Sequence, residues 1–276
     1  MSKKLINEEA SKQLLNNANN LKYTSLKYIE AKNLLNSRIH IITNDLIILS
    51  KHVNEKLQIF WACNKKNDLI KAIKKIILND LSTNVNIEFI PPEFVEQLAE
   101  IGFKENSHFL DFWLKNISSI AFATGHNYII RELGSNELAE ASYVTKMCCG
   151  LSRGFEGSSF KAIKEWYENV NSKIFVAEIN NNIVAVLLTN LYGFNSEKGT
   201  VVWIKELAVN PNYQSLGLAR NLMYCGLNWG LANNAKRSFL SCDKQNHKAI
   251  ALYEKLGYTR SSDLGQINMV YFIKKS

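Results

Sequence analysis

At 276 residues, 46% apolar and 21% charged, the chain has room for two globular domains, and no apolar run has the length of a membrane helix. Its net charge of +8 is spread thinly, 16 basic against 13 acidic groups in the first 125 residues and 17 against 12 in the rest, so no nucleic-acid partner is expected. Five cysteines (Cys63, Cys148, Cys149, Cys225, Cys242) and five scattered histidines show neither metal-ligand spacing nor a disulfide framework, and the N-terminus lacks the apolar core of a signal peptide; reduced thiols, no metal and a cytoplasmic location are expected.

In chain order, Asn7 to Asn36 reads as one long helical stretch, Lys- and Asn-rich with a Leu/Tyr/Ile stripe. Strands at Ile39–Thr43 and Leu46–Ser50 flank Asn44-Asp45, and another follows at Leu57–Cys63. A helix (Lys66–Leu78), a strand (Val85–Ile90), a helix after Pro91-Pro92 and a strand near Phe109–Leu114 complete this half. A boundary near Thr124-Gly125-His126 separates residues 1–125 from residues 126–276.

The second half opens on a strand at Tyr128–Leu133, and Ser135 is placed to cap a helix running to about Cys148. A Gly/Ser-rich loop from Gly150 to Ser159 leads into an amphipathic helix from about Phe160 to Asn169. Lys173–Ile179 and Ile183–Leu191 are strands joined by Asn180-Asn181-Asn182, a hairpin signal. Trp203 to Val209 is the next strand, with Glu206 as an acid inside an apolar run. Burial makes a carboxylate more basic, which suits it to taking a proton near neutral pH.

Pro211 ends that strand, and from Ala219 onward apolar residues recur at helical spacing. The turn between holds Gln214, Ser215, Leu216, Gly217, Leu218 and Ala219, mostly short or polar, with Arg220 just beyond. A helix start leaves about four N–H groups without partners and carries partial positive charge, so small side chains there make a cradle for phosphate. A strand at Lys236–Cys242 follows. Then Asn246 suits a helix cap, Ala249, Ile250, Tyr253 and Leu256 form a stripe, and Gly257 supplies a left-handed stop before the next strand.

Gln214, Gly217 and Ala219 stand in the order Gln/Arg-x-x-Gly-x-Gly/Ala, led in by Val209 and Pro211. Asn246, Ala249-Ile250, Tyr253 and Gly257-Tyr258 form a second, independent match about thirty residues on. Together they resemble the acetyl-CoA-binding core of the GCN5-related N-acetyltransferases (the GNAT family). The resemblance spans roughly residues 127–276 and implies a mixed-sheet α/β fold, that of the GNAT acyl-CoA N-acyltransferases. It also implies acetyl-CoA as co-substrate: residues 214–220 hold its pyrophosphate, the backbone of Leu207, Ala208 and Val209 pairs with the pantetheine arm, and Asn246 bonds the cofactor. On the same grounds Glu206 is the base, directly or through water, and Tyr253 the acid that protonates the departing thiolate.

The element order of the first half echoes this domain, and Glu100-x-Gly102-Phe103 loosely resembles the second motif. Asn64-Lys65-Lys66-Asn67-Asp68 lacks a glycine cradle, so this half is expected to be a degenerate copy, or else an unrelated accessory module. The loop holding Phe155 and Glu156 borders the acceptor site in the family, making those two the expected acceptor contacts. The expected activity is acetyl transfer to a primary amine, that of a small molecule, by a monomer or homodimer. Acetylation of a protein N-terminus or lysine, and a non-catalytic CoA-sensing module, are the rival readings.

Overall fold

The computed structural model describes residues 5–53, 55–79, 83–118 and 127–273. In chain order the first elements are α1 (Glu8–Ala18), β1 (Tyr23–Thr24), α2 (Ala31–Leu34), β2 (Arg38–Ile42), β3 (Leu46–Val53), β4 (Lys56–Cys63), α3 (Lys66–Asn79), β5 (Val85–Ile90), α4 (Pro92–Glu100) and β6 (Phe103–Leu114). There follow β7 (Ile129–Glu132), α5 (Leu138–Met147), α6 (Phe160–Glu168), β8 (Ser172–Ile179), β9 (Asn182–Tyr192), β10 (Val201–Val209), α7 (Leu218–Ala232), β11 (Arg237–Asp243), α8 (His247–Lys255), β12 (Thr259–Arg260) and β13 (Gln266–Tyr271). Among the described residues, no helix is long and apolar enough to cross a membrane.

Contacts divide the chain into two compact units, residues 1–108 with 264–276, and residues 109–263. The boundary read from the sequence, Thr124-Gly125-His126, lies outside the described residues. The units differ from the expected 1–125 and 126–276 at both ends, because Phe109–Leu114 belongs with the second unit and Gln266–Tyr271 with the first.

The first unit orders its strands β2-β3-β4-β5-β13, antiparallel except for the parallel pair β4–β5, with β1 laid on β4. Leu46 and Ile48 of β3 face a core with α3 and α4, while Ile47 and Leu49 face one with α1, so the strand is apolar without alternation. The single helix expected over Asn7–Asn36 is absent: α1 stops at Ala18, capped by Asn7 at its start. Asn16, Asn17, Asn19 and Asn20 compete for helix backbone bonds, and Tyr23-Thr24 instead pairs with β4.

The second unit orders its strands β6-β11-β10-β9-β8-β7, with β12 beside β6. Only β10–β11 is parallel. One face packs on α5 and α6, the other on α7 and α8. The Asn hairpin forms as expected, Asn180 and Asn181 both having positive φ (50° and 61°). Ser135 does not cap α5. Glu137 does the local work, accepting from Gly134 N (2.7 Å) and from both Nη atoms of Arg131 on β7 (2.6 and 2.7 Å). That pairing, chiefly the Arg131 hydrogen bonds, holds the Glu137 carboxyl below its usual pKa range.

Candidate active site

The site begins with one extra residue. Along β10 and β9, Ile204 pairs with Thr189 but Glu206 pairs with Leu188, leaving Lys205 as a bulge. Val202 and Ile204 face α7; regular alternation would send Glu206 there too. The bulge instead turns Glu206 to the α5–α6 face and sends Leu207 to the α7 face.

Glu206 is 9% exposed. Ser158 Oγ donates to its Oε2 at 2.6 Å, while its Oε1 is buried without a hydrogen-bond partner. Ser158 is brought there by Gly157 (φ 68°), where a Cβ would lie 2.5 Å from the carbonyl oxygen of Thr145 on α5. Only a glycine lets the loop approach α5 that closely, and the contact is fixed by Ser158 N donating to Thr145 Oγ1 (2.9 Å).

Beyond the bulge, the strands part. The parallel register of β10 with β11 ends at Ile204–Leu240, while β10 stays paired with β9 to Val209 and β11 with β6 to Asp243. Leu207, Ala208 and Val209 therefore line a gap into which alternate backbone groups of β10 point. Val209 O, at its end, accepts from Cys148 Sγ (3.3 Å) and Gln214 Nε2 (3.3 Å). Asp243, 1% exposed, ends β11 across this gap and binds Arg153 through both carboxylate oxygens (3.1 and 3.0 Å), pinning the α5–α6 loop.

The turn that follows β10 runs directly into the start of α7. Ser215 (φ 66°) and Gly217 (φ 82°) are left-handed, and the N–H groups of Leu218, Ala219 and Arg220 open α7, whose first backbone bond runs from Asn221 N to Gly217 O (3.1 Å). Leu218 anchors the turn in the core, 1% exposed, while Leu216 is 52% exposed. A Cβ on Gly217 would stand 3.6 Å from Arg220 Nη2 and Tyr128 Oη. Tyr128 accepts from the buried Asn221 Nδ2 at 2.6 Å. α7 itself rides close to the sheet, because Cβ atoms at Gly226 and Gly230 would fall 2.8 and 2.7 Å from Leu187 and Val202.

Asn246 is the cap of α8, accepting from Ala249 N (3.2 Å). Gly257 (φ 88°) closes that helix, with Tyr258 N donating to Tyr253 O (3.0 Å). Tyr253 is buried on the α7–α8 face against Phe112, Tyr258 and Cys242. Burial pushes its hydroxyl pKa well up, with Cys242 and Tyr258 adding to the shift, and burial pushes the Cys242 thiol up to about 12. Phe155 is half-buried in the pinned loop, its carbonyl accepting from Gly150 N (3.0 Å). Glu156 is exposed, and Lys146 Nζ donates to its carbonyl oxygen at 3.0 Å. Sequence reasoning missed Ser158, Arg153 and Asp243. Their bonds join residues 48 and 90 positions apart, and the only local signal was the glycine before Ser158.

A cavity of about 710 Å³ lies elsewhere in this unit, lined by Tyr167–Lys173, Leu191, Phe194, Trp229 and Ala232–Asn234. It sits beside the start of β8 and the end of α7, and none of the groups described above lines it.

Residues 141–258 match the acetyltransferase (GNAT) family. No curated protein shows significant sequence similarity to the chain. Among solved structures, a GCN5-related N-acetyltransferase from Sphaerobacter thermophilus is similar at TM-score 0.58 and 12% identity, covering 84% of this chain and 78% of the other. One from Kribbella flavida is similar at TM-score 0.53 and 12% identity, covering 96% and 95%. A Drosophila protein is similar over 99% of both chains, at TM-score 0.59 and 11% identity. At these identities the structures speak for the fold, and the family match speaks for the domain that carries the bulged strand, the glycine turn and Tyr253. The chain carries an acetyltransferase domain of the GNAT family at residues 141–258.

Proposed function

We propose that the chain transfers the acetyl group of acetyl-CoA to the primary amine of a small molecule, by direct attack within a ternary complex. The observation that carries this reading is the parting of β10 from β11 immediately beside a buried carboxylate with one unpartnered oxygen. The residues present fit the co-substrate. The turn at 214–220 would hold the pyrophosphate on its N–H groups and Arg220, and the β10 edge at 207–209 would pair with the pantetheine arm. Bound there, acetyl-CoA supplies an activated acyl group.

The chain's own residues then move protons. Glu206 receives one from the amine at its unpartnered Oε1, while Ser158 fixes the other oxygen. Tyr253, kept protonated by burial, gives one to the leaving sulfur. A backbone N–H of the 207–209 edge polarises the thioester carbonyl. Asn246 contacts the cofactor, and Phe155 and Glu156 border the acceptor.

The first unit fits a degenerate copy in which the corresponding slot is closed. Its parallel pairing also stops, at Ile59–Ile87. There Tyr23-Thr24 pairs along β4, and Ser25 bonds both backbone groups of Trp61 (2.9–3.1 Å). The next residue on β4 is Phe60 rather than a carboxylate, and α3 begins three residues after β4 ends. The chain should therefore bind one acetyl-CoA.

Calorimetric titration of wild type and Gly217→Val tests this. At φ 82° a β-branched residue is strained, and its added carbons fill the cradle. We expect one site in wild type and none in the variant, with unchanged circular dichroism. Retained affinity in a folded variant would overturn the cradle assignment, and two sites in wild type would overturn the closed first unit.

A further inference from the structure

The cavity beside the start of β8 is separated from the 214–220 turn by the whole length of α7. That helix opens at Leu218 and ends at Ala232 on the cavity wall, and its 15 residues span about 22 Å at a rise of about 1.5 Å each. At about 710 Å³ the cavity falls within the range of small-molecule sites, roughly 300–1,000 Å³. Its wall is braced by backbone hydrogen bonds. Ser172 N donates to Asn169 O (2.9 Å) and Leu191 N to Asn171 O (2.8 Å), which pins the link from α6 to β8 against β9.

Three aromatic rings line it. Tyr167 at the end of α6 and Phe194 beyond β9 are 39% and 54% exposed, and half-buried Trp229 of α7 is steadied from the core by Phe175, edge-on at 6.4 Å. The cations that rest on rings among the described residues sit over Tyr23, Tyr28, Trp113, Trp166 and Trp203, and these three carry none. Two amides on the wall are oriented by the backbone. Asn169 Oδ1 accepts from Asn171 N (2.9 Å), which leaves its Nδ2 to donate; Asn233 Nδ2 donates to Trp229 O (2.8 Å), which leaves its Oδ1 to accept. The two formal charges of the wall are opposite in sign, and each is paired outside it, Lys173 with Glu132 (2.8 Å) and Glu168 with Lys164 (3.7 Å).

From this we infer that the cavity binds a neutral saccharide of one or two pyranose rings. A pyranose has C–H groups on its flat faces, which pack on aromatic rings, and hydroxyls around its rim, each able both to donate and to accept. A fixed donor and a fixed acceptor beside open rings meet that mixed demand. A charged ligand would find no unpaired counter-charge on the wall, and a purely apolar one would cover both amides without satisfying them. The site goes beyond the acetyl-transfer reading and does not rest on it, because it lies a helix length from the groups that reading uses.

The test is calorimetric titration of the purified full-length chain with maltose, cellobiose and N-acetylglucosamine, with inorganic phosphate and hexanediol as charged and apolar controls. At least one saccharide should bind at a single site, in the millimolar range or tighter, with the same affinity whether or not acetyl-CoA is present. Phe194→Ala should weaken that binding roughly tenfold, the yield of one ring contact, with unchanged circular dichroism. Tyr167→Ala serves the same purpose if Phe194→Ala does not fold. No saccharide binding at tens of millimolar, an affinity that neither variant alters, or competition with acetyl-CoA would each overturn the inference. Tighter binding of phosphate or hexanediol than of every saccharide would overturn the assigned ligand class. Concentration-dependent dimerisation that Phe194→Ala abolishes in sedimentation would assign this face to a second copy of the chain, and so overturn the inference as well.

Discussion

Tyr253 poses the sharpest question at the scale of one residue, because its ring is buried against Phe112 and Tyr258. Burial disfavours the phenolate and raises the hydroxyl's pKa above its ordinary value. Held protonated, the phenol can only donate, and the raised pKa makes it a weaker donor than a free tyrosine, so a transfer to the thiolate would rest on alignment rather than on acidity. Tyr253→Phe should therefore lower kcat about ten- to a hundredfold with little change in acetyl-CoA affinity, measured by steady-state kinetics beside calorimetry. The sign of the shift adds a second readout. With the pKa raised, titration of Tyr253 should take no activity away between about pH 8 and pH 10, where a free tyrosine would begin to ionise. Unchanged turnover in the phenylalanine variant would remove Tyr253 from the chemistry. Its position was legible in the sequence from the spacing of Asn246, Ala249-Ile250 and Gly257, since a capped helix with a glycine stop fixes which residues face inward. Ser158 was not legible, because a hydroxyl acquires its meaning only when a loop closes on a strand 48 residues away.

At the scale of elements, the site is made by irregularities in otherwise ordinary strands and loops. The Lys205 bulge exchanges the faces of Glu206 and Leu207; without it a carboxylate would point at Leu222 and Met223 of α7. A sequence pattern shows that Trp203 to Val209 is a strand, and does not show which residue is extra, since the bulge is defined against a partner strand. The α5–α6 loop is the matching irregularity on the other side. Gly157 brings Ser158 under α5, and Arg153 ties the loop to Asp243. Gly157→Ala would place a carbon 2.5 Å from a backbone oxygen at φ 68°, and neither the helix nor the alanine can yield cheaply. We expect a loss of about 1–3 kcal/mol in unfolding free energy, together with a fall in kcat as Ser158 moves off Glu206. Chemical denaturation and kinetics on the same variant check both. Unchanged stability and rate would mean the loop tolerates displacement and does not hold Glu206.

At the scale of the molecule, each unit is completed by a strand from the other's stretch of chain. The second unit takes Phe109–Leu114 against β11, and the first takes Gln266–Tyr271 against β5. The order of helices and strands in both halves was readable from periodicity, because each element carries its own pattern. Ownership of the exchanged strands was not, because nothing in Gln266-Ile267-Asn268-Met269-Val270-Tyr271 names its partner. Those six residues matter to the first unit beyond their ladder. Ile267 and Met269 are buried with the α3–α4 core, Asn268 receives Phe89 N and donates to Ser107 Oγ (3.3 and 3.1 Å), and Tyr271 packs on Phe103 and over Gly102. Two fully buried apolar side chains contribute about 3–6 kcal/mol, a large part of the roughly 5–15 kcal/mol that holds a domain folded. A chain ending at Asp263 should therefore lose cooperative unfolding of its first unit and be cleaved within residues 5–108 by limited proteolysis. Its second unit keeps every strand and should still bind acetyl-CoA in calorimetry. Protection of the first unit in the shortened chain would show that β13 is dispensable there, and that the expected cut between the halves, rather than the exchanged strands, describes how this protein folds.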